Sequence, residues 1–247
     1  MFYNHILKVE KYNMKNKYVF ILTITFLCSL LLSLASQGLK SKALKNIELD
    51  KKKNILNAVG VNLELYSIED IDTYFIENID TVIISLSGDI NDELSIVDLE
   101  STVNNQTGEI KYFSNSVEYL PLYKDKSADA NILPVSGKGL WSTLYGYFAL
   151  DINNFSTVKG ITFYDHGETP GLGAEISKKW FQNNFINKEI YNGIDLVSII
   201  VTKAGMADKD NLYEVDGISG ATITSKGVTE LLKRDLNRYE SYFLKNK

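Results

Sequence analysis

Residues that bind metals or form disulfides are scarce in this sequence. Its 247 residues include one cysteine, Cys28, and two histidines, His5 and His166. A zinc site, an iron–sulfur site or a Cys–His nucleophile needs more of these ligands than the chain supplies. A single cysteine also excludes an internal disulfide, which says nothing for or against an oxidising compartment. Any redox chemistry would therefore have to belong to an organic cofactor.

Proline is scarce, and neither sign of charge is in large excess. Three prolines and the lack of low-complexity segments predict a chain that is ordered over most of its length. A formal net charge of −5 gives no electrostatic support for nucleic-acid binding, so we expect no nucleic-acid partner. No Gly-x-Gly-x-x-Gly fingerprint follows a predicted strand, and the chain should therefore not bind NADH itself.

One long apolar run is present near the N-terminus. Residues 18–35 are uncharged and mostly apolar, and as a helix they would span about 27 Å, close to the ~30 Å of a hydrocarbon core. A cleaved signal peptide is the alternative, because Ser33-Leu34-Ala35 resembles a cleavage site, although its apolar region is usually shorter. We predict a retained transmembrane helix over residues 18–36, preceded by a cytoplasmic tail over residues 1–17.

The orientation of this helix is less clearly marked, because lysines flank it on both sides. The lysines before the run are Lys8, Lys11, Lys15 and Lys17, and those after it are Lys40, Lys42, Lys45 and Lys51–Lys53. The first group favours a cytoplasmic N-terminus, but the second nearly balances the positive-inside rule. Large domains can translocate regardless of flanking charge. Charge alone therefore leaves the side of the following domain open.

The rest of the chain mixes strands and helices without a regular βαβ rhythm. We expect the helix of the anchor to continue, with a break near Asp50, to about Gly60. Strands are predicted at 80–86, 120–124, 144–152, 158–165 and 196–202, and helices at 176–185 and from about 225 onward. This pattern favours an α+β fold over a doubly wound parallel sheet. We divide the soluble part into residues 37–118 and a domain over residues 119–247.

The most informative stretch is Asp216–Ser225, where small and hydroxyl residues precede an amphipathic helix. Thr224 or Ser225 is the predicted N-cap of that helix. The free N–H groups at a helix start suit a phosphate, and Gly217 and Gly220 allow the backbone to approach a ligand closely. A capped junction between loop and helix, without any ligand, is the alternative. The apolar stripe of the helix comprises Val228, Leu231, Leu232, Leu236, Tyr239 and Phe243.

The order of residues in Asp216–Thr222, Asp-x-x-Ser-Gly-Ala-Thr, resembles the flavinylation signature of proteins that carry FMN through a phosphoester bond to threonine. The resemblance places Thr222 at the acceptor position and includes Asp216, Ser219, Gly220 and Ala221 in the binding motif. In that family a separate flavin transferase moves FMN from FAD onto the threonine. Because a threonine hydroxyl is a poor nucleophile, it needs activation. Asp216 is a hypothetical ligand of magnesium or a positioning group for the loop.

Three further blocks resemble one particular family. Residues 139–142, 158–164 and 166–175, followed by the threonine motif, are similar in sequence and order to the C subunit of the sodium-translocating NADH:quinone oxidoreductase. The G subunit of the Rnf complex shares the threonine motif and is the nearest alternative. For the block at 166–173 a purely structural turn at Pro170-Gly171 is the other interpretation.

This resemblance implies a single-pass protein of the bacterial inner membrane, with an extracytoplasmic segment over 37–118 and an FMN-binding domain over 119–247 on the periplasmic face. It implies an electron carrier, without catalytic residues or a metal of its own, that relays electrons from NADH at another subunit toward ubiquinone. Its partners would be the other subunits and, during maturation, the flavin transferase. The flavin ring would lie between two loops, in contact with Trp141, Ser142, Glu168, Thr169, Leu172 and Gly173. An extracytoplasmic ligand-binding or scaffold protein without a redox role is the alternative from a different class.

Overall fold

The structure, a computed structural model, describes the backbone of residues 2–247 and the side chains of residues 16–247. The chain divides into two compact units, one ending at Asp50 and the other spanning Lys51–Lys247. The side chains of the first 15 residues of the predicted tail, including His5, lie outside the described residues.

The apolar run lies in one long helix, α1 (Phe2–Ala58). Within residues 16–247, its segment Asn16–Ala58 is the one helix that is long and apolar enough to cross a membrane. The predicted break near Asp50 is wrong, because α1 continues without interruption to Ala58. Neither proline nor glycine occurs between residues 39 and 58 to break it, and it ends just before Gly60, whose φ of +81° suits a helix terminus.

Helix α2 (Ile68–Asn78) leads into the main sheet, which is antiparallel throughout. Six of its seven strands follow the order β2-β3-β4-β5-β6-β7, and β1 pairs with β4. The strands are β1 (Ile79–Ser85), β2 (Glu100–Val103), β3 (Ile110–Ser114), β4 (Val117–Asp125), β5 (Ala130–Lys138), β6 (Thr143–Asp151) and β7 (Val158–Asp165). After β7 come the short helix α3 (Lys179–Gln182), four two-residue strands and the final helix α4 (Thr222–Asn246).

The core lies between one face of this sheet and α4. The predicted apolar stripe of α4 is confirmed, because all six of its side chains are buried. Leu133 of β5 and Phe148 of β6 are paired directly across the sheet and belong to the same core cluster. A Cβ at Gly137 of β5 would lie 2.4 Å from the Cβ of Leu231, so the glycine allows α4 to pack closely on β5. Packing on the sheet therefore fixes how closely α4 lies to β5.

The opposite face of the sheet is covered by the last two turns of α1, from Lys51 onward. A Cβ at Gly160 of β7 would lie 2.4 Å from the carbonyl oxygen of Ala58, which shows how closely the helix end approaches the strand. The Thr162 hydroxyl donates a hydrogen bond of 3.3 Å to the carbonyl oxygen of Asn54. The sheet is thus layered between helices on both faces, and the predicted α+β class is confirmed.

A buried carboxylate joins α4 to β5. The side chain of Asp235 is buried, and its Oδ2 accepts a hydrogen bond of 2.9 Å from the N–H of Ser136. Its Oδ1 accepts from the guanidinium of Arg234 at 2.9 Å and 2.7 Å. Burial raises the pKa of Asp235 to about 6, even though the Arg234 charge and the Ser136 N–H act in the opposite direction. This polar contact lies beside the apolar side chains that α4 contributes to the core.

Several predicted elements differ from the observed ones. No strand was predicted at β2, β3 or β5, and the strand predicted at 196–202 is instead split between β9 (Asp195–Leu196) and β10 (Ile200–Val201). The remaining short strands are β8 (Tyr191–Asn192), paired with β9, and β11 (Glu214–Val215), paired in parallel with β10. The helix predicted at 176–185 is broken into a 3₁₀ turn, α3 and a second 3₁₀ turn. The segments after β7 are too short for hydrophobic periodicity to define them.

Candidate functional site

The loop that carries the threonine motif is held by its own backbone. It connects β11 to α4, and a Cβ at Gly217 would lie 2.1 Å from the carbonyl oxygen of Thr202, so a larger residue does not fit there. The N–H of Ala221 donates to the carbonyl oxygen of Ile218 at 3.0 Å. Gly220 has a φ of +74°, which glycine adopts without strain. The loop therefore delivers the chain to the start of α4 along one defined path.

Thr222 is the first residue of α4, one turn earlier than the sequence predicted, and its side chain is exposed. The predicted N-cap at Thr224 or Ser225 is wrong because both hydroxyls are buried and have other partners. Ser225 Oγ accepts from the N–H of Ile218 at 3.2 Å, and Thr224 Oγ1 donates to Glu168 Oε2. The actual N-cap, Ala221, provides no side-chain acceptor, and the first turn contains no acidic residue. The helix thus begins with N–H groups that an anion can satisfy.

Glu168 lies beneath this helix start. Its side chain is 5% exposed, and its Oε1 accepts from the N–H of Trp141 at 2.9 Å and of Ser142 at 3.4 Å. Its Oε2 accepts from the N–H of Leu140 at 3.3 Å and from the Thr224 hydroxyl. Burial by itself would raise the pKa of Glu168, but the hydrogen bonds from Thr224 and the three N–H groups outweigh it, and the pKa lies below its usual value. The carboxylate is therefore ionised at neutral pH.

Exposed apolar side chains lie on the segments that meet at the start of α4. A Cβ at Gly220 would lie 2.9 Å from Leu172 Cδ2, so Leu172 packs beside the motif loop while remaining 42% exposed. Trp141 is 68% exposed, although its backbone is fixed by Glu168. We call the four exposed apolar residues on the segments that meet here the apolar rim: Leu140, Trp141, Leu172 and Ile223. A planar aromatic ligand with a phosphate tail matches a rim of this kind beside a free helix N-terminus.

The other predicted ring contacts have the following positions. Ser142 Oγ accepts from the N–H of Gly167 and donates to the carbonyl oxygen of Thr143 at 3.1 Å. Thr169 is exposed, and its carbonyl oxygen accepts from the N–H groups of Leu172 and Ala174, both at 3.1 Å. Gly173 is buried against Glu168 and Thr224. Contact of these residues with a flavin stays a prediction.

The remaining motif residues form the approach to Thr222. Asp216 is half-buried, and its Oδ1 accepts from the N–H of Ala207 at 3.0 Å, which ties the motif to the preceding loop. Ser219 is exposed and Ala221 is buried. In the part of the chain from residue 16 on, no group of three or more His, Cys, Asp or Glu side chains could hold a metal ion. A role of Asp216 toward magnesium therefore remains a hypothesis.

Sequence analysis missed three contributors to this site. Leu140 and Ile223 each adjoin a predicted site residue, and both are exposed. No alternation of apolar and polar residues around them indicated this exposure. Thr224 was considered only as a cap, whereas its hydroxyl is directed at Glu168, 56 residues earlier in the chain. A contact of that sequence separation is not readable from local patterns.

The fold and the family match define the class of this protein: an FMN-binding domain that follows a helix able to span a membrane. The FMN-binding domain family matches residues 139–237, a range that contains every predicted site residue. The chain is 31% identical to the C subunit of the Na⁺-translocating NADH-quinone reductase of Haemophilus ducreyi, over 92% of this chain and 91% of that protein. It is 34% identical to the same subunit of Yersinia pestis, over 84% of this chain and 83% of the relative.

Two solved structures of C subunits have a fold similar to that of this chain. The crystal structure of Shewanella oneidensis NqrC superposes with a TM-score of 0.66 at 26% identity and covers 82% of this chain and 98% of that one. The crystal structure of the C subunit from Parabacteroides distasonis superposes with a TM-score of 0.62 at 31% identity, covering 83% and 96%. The chain belongs to the NqrC family, the C subunits of the Na⁺-translocating NADH-quinone reductases.

Proposed function

We propose that this chain carries FMN covalently, through a phosphoester bond to the Thr222 hydroxyl, as the electron-carrier subunit of a Na⁺-translocating NADH-quinone reductase. The observation that carries the proposal is the exposed Thr222 hydroxyl at the uncapped start of α4, next to the apolar rim. Family membership supports the same assignment.

The residues present fit FMN at both of its ends. The phosphoester would meet the N–H groups of the first turn of α4, whose dipole favours an anion by about 0.3–1 kcal/mol at an exposed site. Leu172 and Trp141 would provide apolar contact for the ring and exclude water from its face. When bound, the flavin supplies the capacity to accept and donate electrons singly.

The attachment step would transfer an FMN group from FAD to the threonine hydroxyl. The Thr222 hydroxyl oxygen forms a bond to the FMN phosphorus of FAD, the diphosphate bond breaks, AMP leaves, and the hydroxyl proton passes to a base. A flavin transferase would catalyse this step, with Asp216 holding the loop in position. An oxyanion on phosphorus would again face the N–H groups at the start of α4.

The intact protein, purified from its native host or co-produced with a flavin transferase, tests this function. We expect a yellow protein whose mass exceeds that of the chain by one esterified FMN and whose flavin fluorescence survives a denaturing gel. A colourless chain of unmodified mass under these conditions would instead support the ligand-binding or scaffold function.

The direction of electron flow and the topology belong to the same proposal. Electrons would enter from NADH at another subunit and leave toward ubiquinone, with the soluble domain on the periplasmic face. A C-terminal reporter that works only outside the cytoplasm should be active, and its cytoplasmic counterpart silent. Activity of the cytoplasmic reporter alone would contradict the topology without affecting the assignment of Thr222.

The role of the apolar rim can be measured through the flavin itself. Leu172→Ala removes an exposed apolar side chain, so the local polarity rises and the flavin absorption bands and midpoint potential should shift. Because Leu172 is 42% exposed, the fold should be little affected. Val197→Ala is a matched control, since Val197 is similarly half-exposed and lies outside the sequence blocks that resemble the family. An unchanged spectrum and potential in Leu172→Ala would remove this residue from the site.

A further inference from the structure

The buried carboxylate of Glu168 connects the two segments that carry the apolar rim and the attachment threonine. Its three backbone donors are consecutive, at Leu140, Trp141 and Ser142, and its fourth donor is Thr224, two residues after Thr222. We call this arrangement the Glu168 clamp. Since the clamp binds the backbone N–H groups of the Leu140–Ser142 loop, it fixes the path of that loop.

Two glycines make room for the clamp. A Cβ at Gly139 would lie 2.6 Å from Glu168 Oε1, and a Cβ at Gly173 would lie 2.7 Å from Glu168 Oε2 and 2.6 Å from Thr224 Oγ1. Both contacts are closer than real Cβ atoms allow, although neither glycine has a positive φ. The two glycines are therefore required by the carboxylate that passes between them, not by backbone conformation.

The carboxylate has little capacity left for a ligand. With four donors within 3.4 Å and 5% exposure, it faces the protein rather than the surface beside Thr222. An ionised carboxylate that accepts several backbone N–H bonds is held strongly in place, because each of these bonds is charge-assisted. The exposed groups beside it, Trp141 and Leu172, are the ones positioned to meet a ring.

We propose that Glu168 is a positioning residue: the Glu168 clamp locks the Leu140–Ser142 loop to the first turn of α4 and so sets where Trp141 lies relative to the flavin attached at Thr222. The proposal rests on the proposed function for the flavin, but the clamp itself is a property of the chain. In this proposal Glu168 acts on the ring through the Leu140–Ser142 loop and does not contact the ring directly.

Two substitutions weaken the clamp with little change in volume. Thr224→Val removes the hydroxyl donor and keeps the shape of the side chain. Glu168→Gln keeps one acceptor oxygen but places an amide N–H₂ group opposite a backbone donor, so one side of the clamp is lost. Thr224→Ser retains the hydroxyl and should rescue the clamp.

Asp125 offers a matched control elsewhere in the same domain. It is also buried, its Oδ1 accepts from the N–H groups of Ser127 and Ala128, both at 2.9 Å, and its Oδ2 accepts from the Tyr74 hydroxyl at 3.1 Å. Asp125→Asn therefore makes the same chemical change in a carboxylate with similar partners. It lies outside the range matched by the FMN-binding domain family.

The experiment uses the full chain with its flavin and measures intact mass, amide hydrogen exchange at residues 140–142, the flavin circular dichroism spectrum and the midpoint potential. In Thr224→Val and Glu168→Gln we expect full loading, exchange at residues 140–142 faster by about tenfold or more, and a shifted spectrum and potential. Thr224→Ser should match the protein without substitutions in all four measurements. Asp125→Asn should lower the melting temperature without changing the exchange at 140–142 or the flavin signals.

The other outcomes overturn the proposal. Unchanged exchange at residues 140–142 in both clamp variants would show that the carboxylate does not hold the loop. Faster exchange without any flavin shift would show a purely structural role, and an equal flavin shift in Asp125→Asn would show a non-specific effect. If the protein without substitutions carries no flavin, the proposed function fails. Hydrogen exchange still decides whether the clamp exists.

Discussion

Thr222→Ala should abolish covalent flavin completely. Thr222 is exposed at the first position of α4, so removal of its hydroxyl leaves the fold intact and deletes the atom that would bond to phosphorus. Alanine is well tolerated at a helix start, and we expect a change in stability within about 0.5 kcal/mol. Fluorescence on a denaturing gel and intact mass measure the loss, which should be total rather than partial.

Thr224→Ala is the control that separates the two threonines. Thr224 is 1% exposed and its hydroxyl is occupied by Glu168, so it cannot reach a transferase without unfolding the first turn of α4. We expect this variant to keep its covalent flavin. Covalent flavin on Thr222→Ala, or its loss from Thr224→Ala alone, would refute the assignment of Thr222.

Asp235→Ala should cause the largest loss of stability. The substitution leaves the buried N–H of Ser136 without its acceptor and the guanidinium of Arg234 without its carboxylate, in the interface between β5 and α4. Leaving a buried donor such as the Ser136 N–H without an acceptor costs about 1–3 kcal/mol, a sizeable part of the ~5–15 kcal/mol of a typical domain. Chemical denaturation followed by circular dichroism measures this loss. A cost below about 1 kcal/mol would show that water or another group takes over these partners.

Asp235→Asn isolates the contribution of the charge. Because burial raises the folded-state pKa of Asp235 from 3.8 to about 6, the folded protein binds more protons than the unfolded chain between these values. The free energy of unfolding should therefore fall as the pH rises from about 4 to about 6, by an amount that the asparagine variant does not show. Denaturation curves for both proteins across this range test the sign. Parallel curves would show that the pKa of Asp235 is not raised.

Periodicity predicted the parts of this fold that depend on local burial. The stripe on α4 lies where the sequence placed it, because its buried apolar residues recur at helical spacing. Strand β7 also has the predicted bounds, and most of its residues are buried. β2 was missed because all four of its side chains are exposed, and only its pairing with β3 defines it. The predicted break at Asp50 is absent, since neither glycine nor proline lies between residues 39 and 58 to end the helix.

The site was predictable as a motif but not as an arrangement. The order of residues at 216–222 singled out Thr222, and the structure places that side chain at the surface. The start of α4 one turn earlier was not predictable, since it depends on Ser225 and Thr224 having partners at Ile218 and Glu168. Glu168 was assigned to ring contact because it lies in a glycine-rich loop within one of the blocks that resemble the family. Its actual partners are backbone groups 26–28 residues earlier, which no local pattern reveals.

The position of Trp141 makes its fluorescence an internal reporter of flavin attachment. The chain has two tryptophans. Trp141 belongs to the apolar rim and is 68% exposed, whereas the indole of Trp180 donates to Glu175 and packs edge-on against Phe181. Flavins absorb where indole emits, so energy transfer should quench Trp141 strongly whenever the neighbouring threonine is loaded. The emission of Trp180, obtained by itself from a Trp141→Phe protein, provides the reference. Maturation could then be followed in real time by ultraviolet excitation, without any added dye.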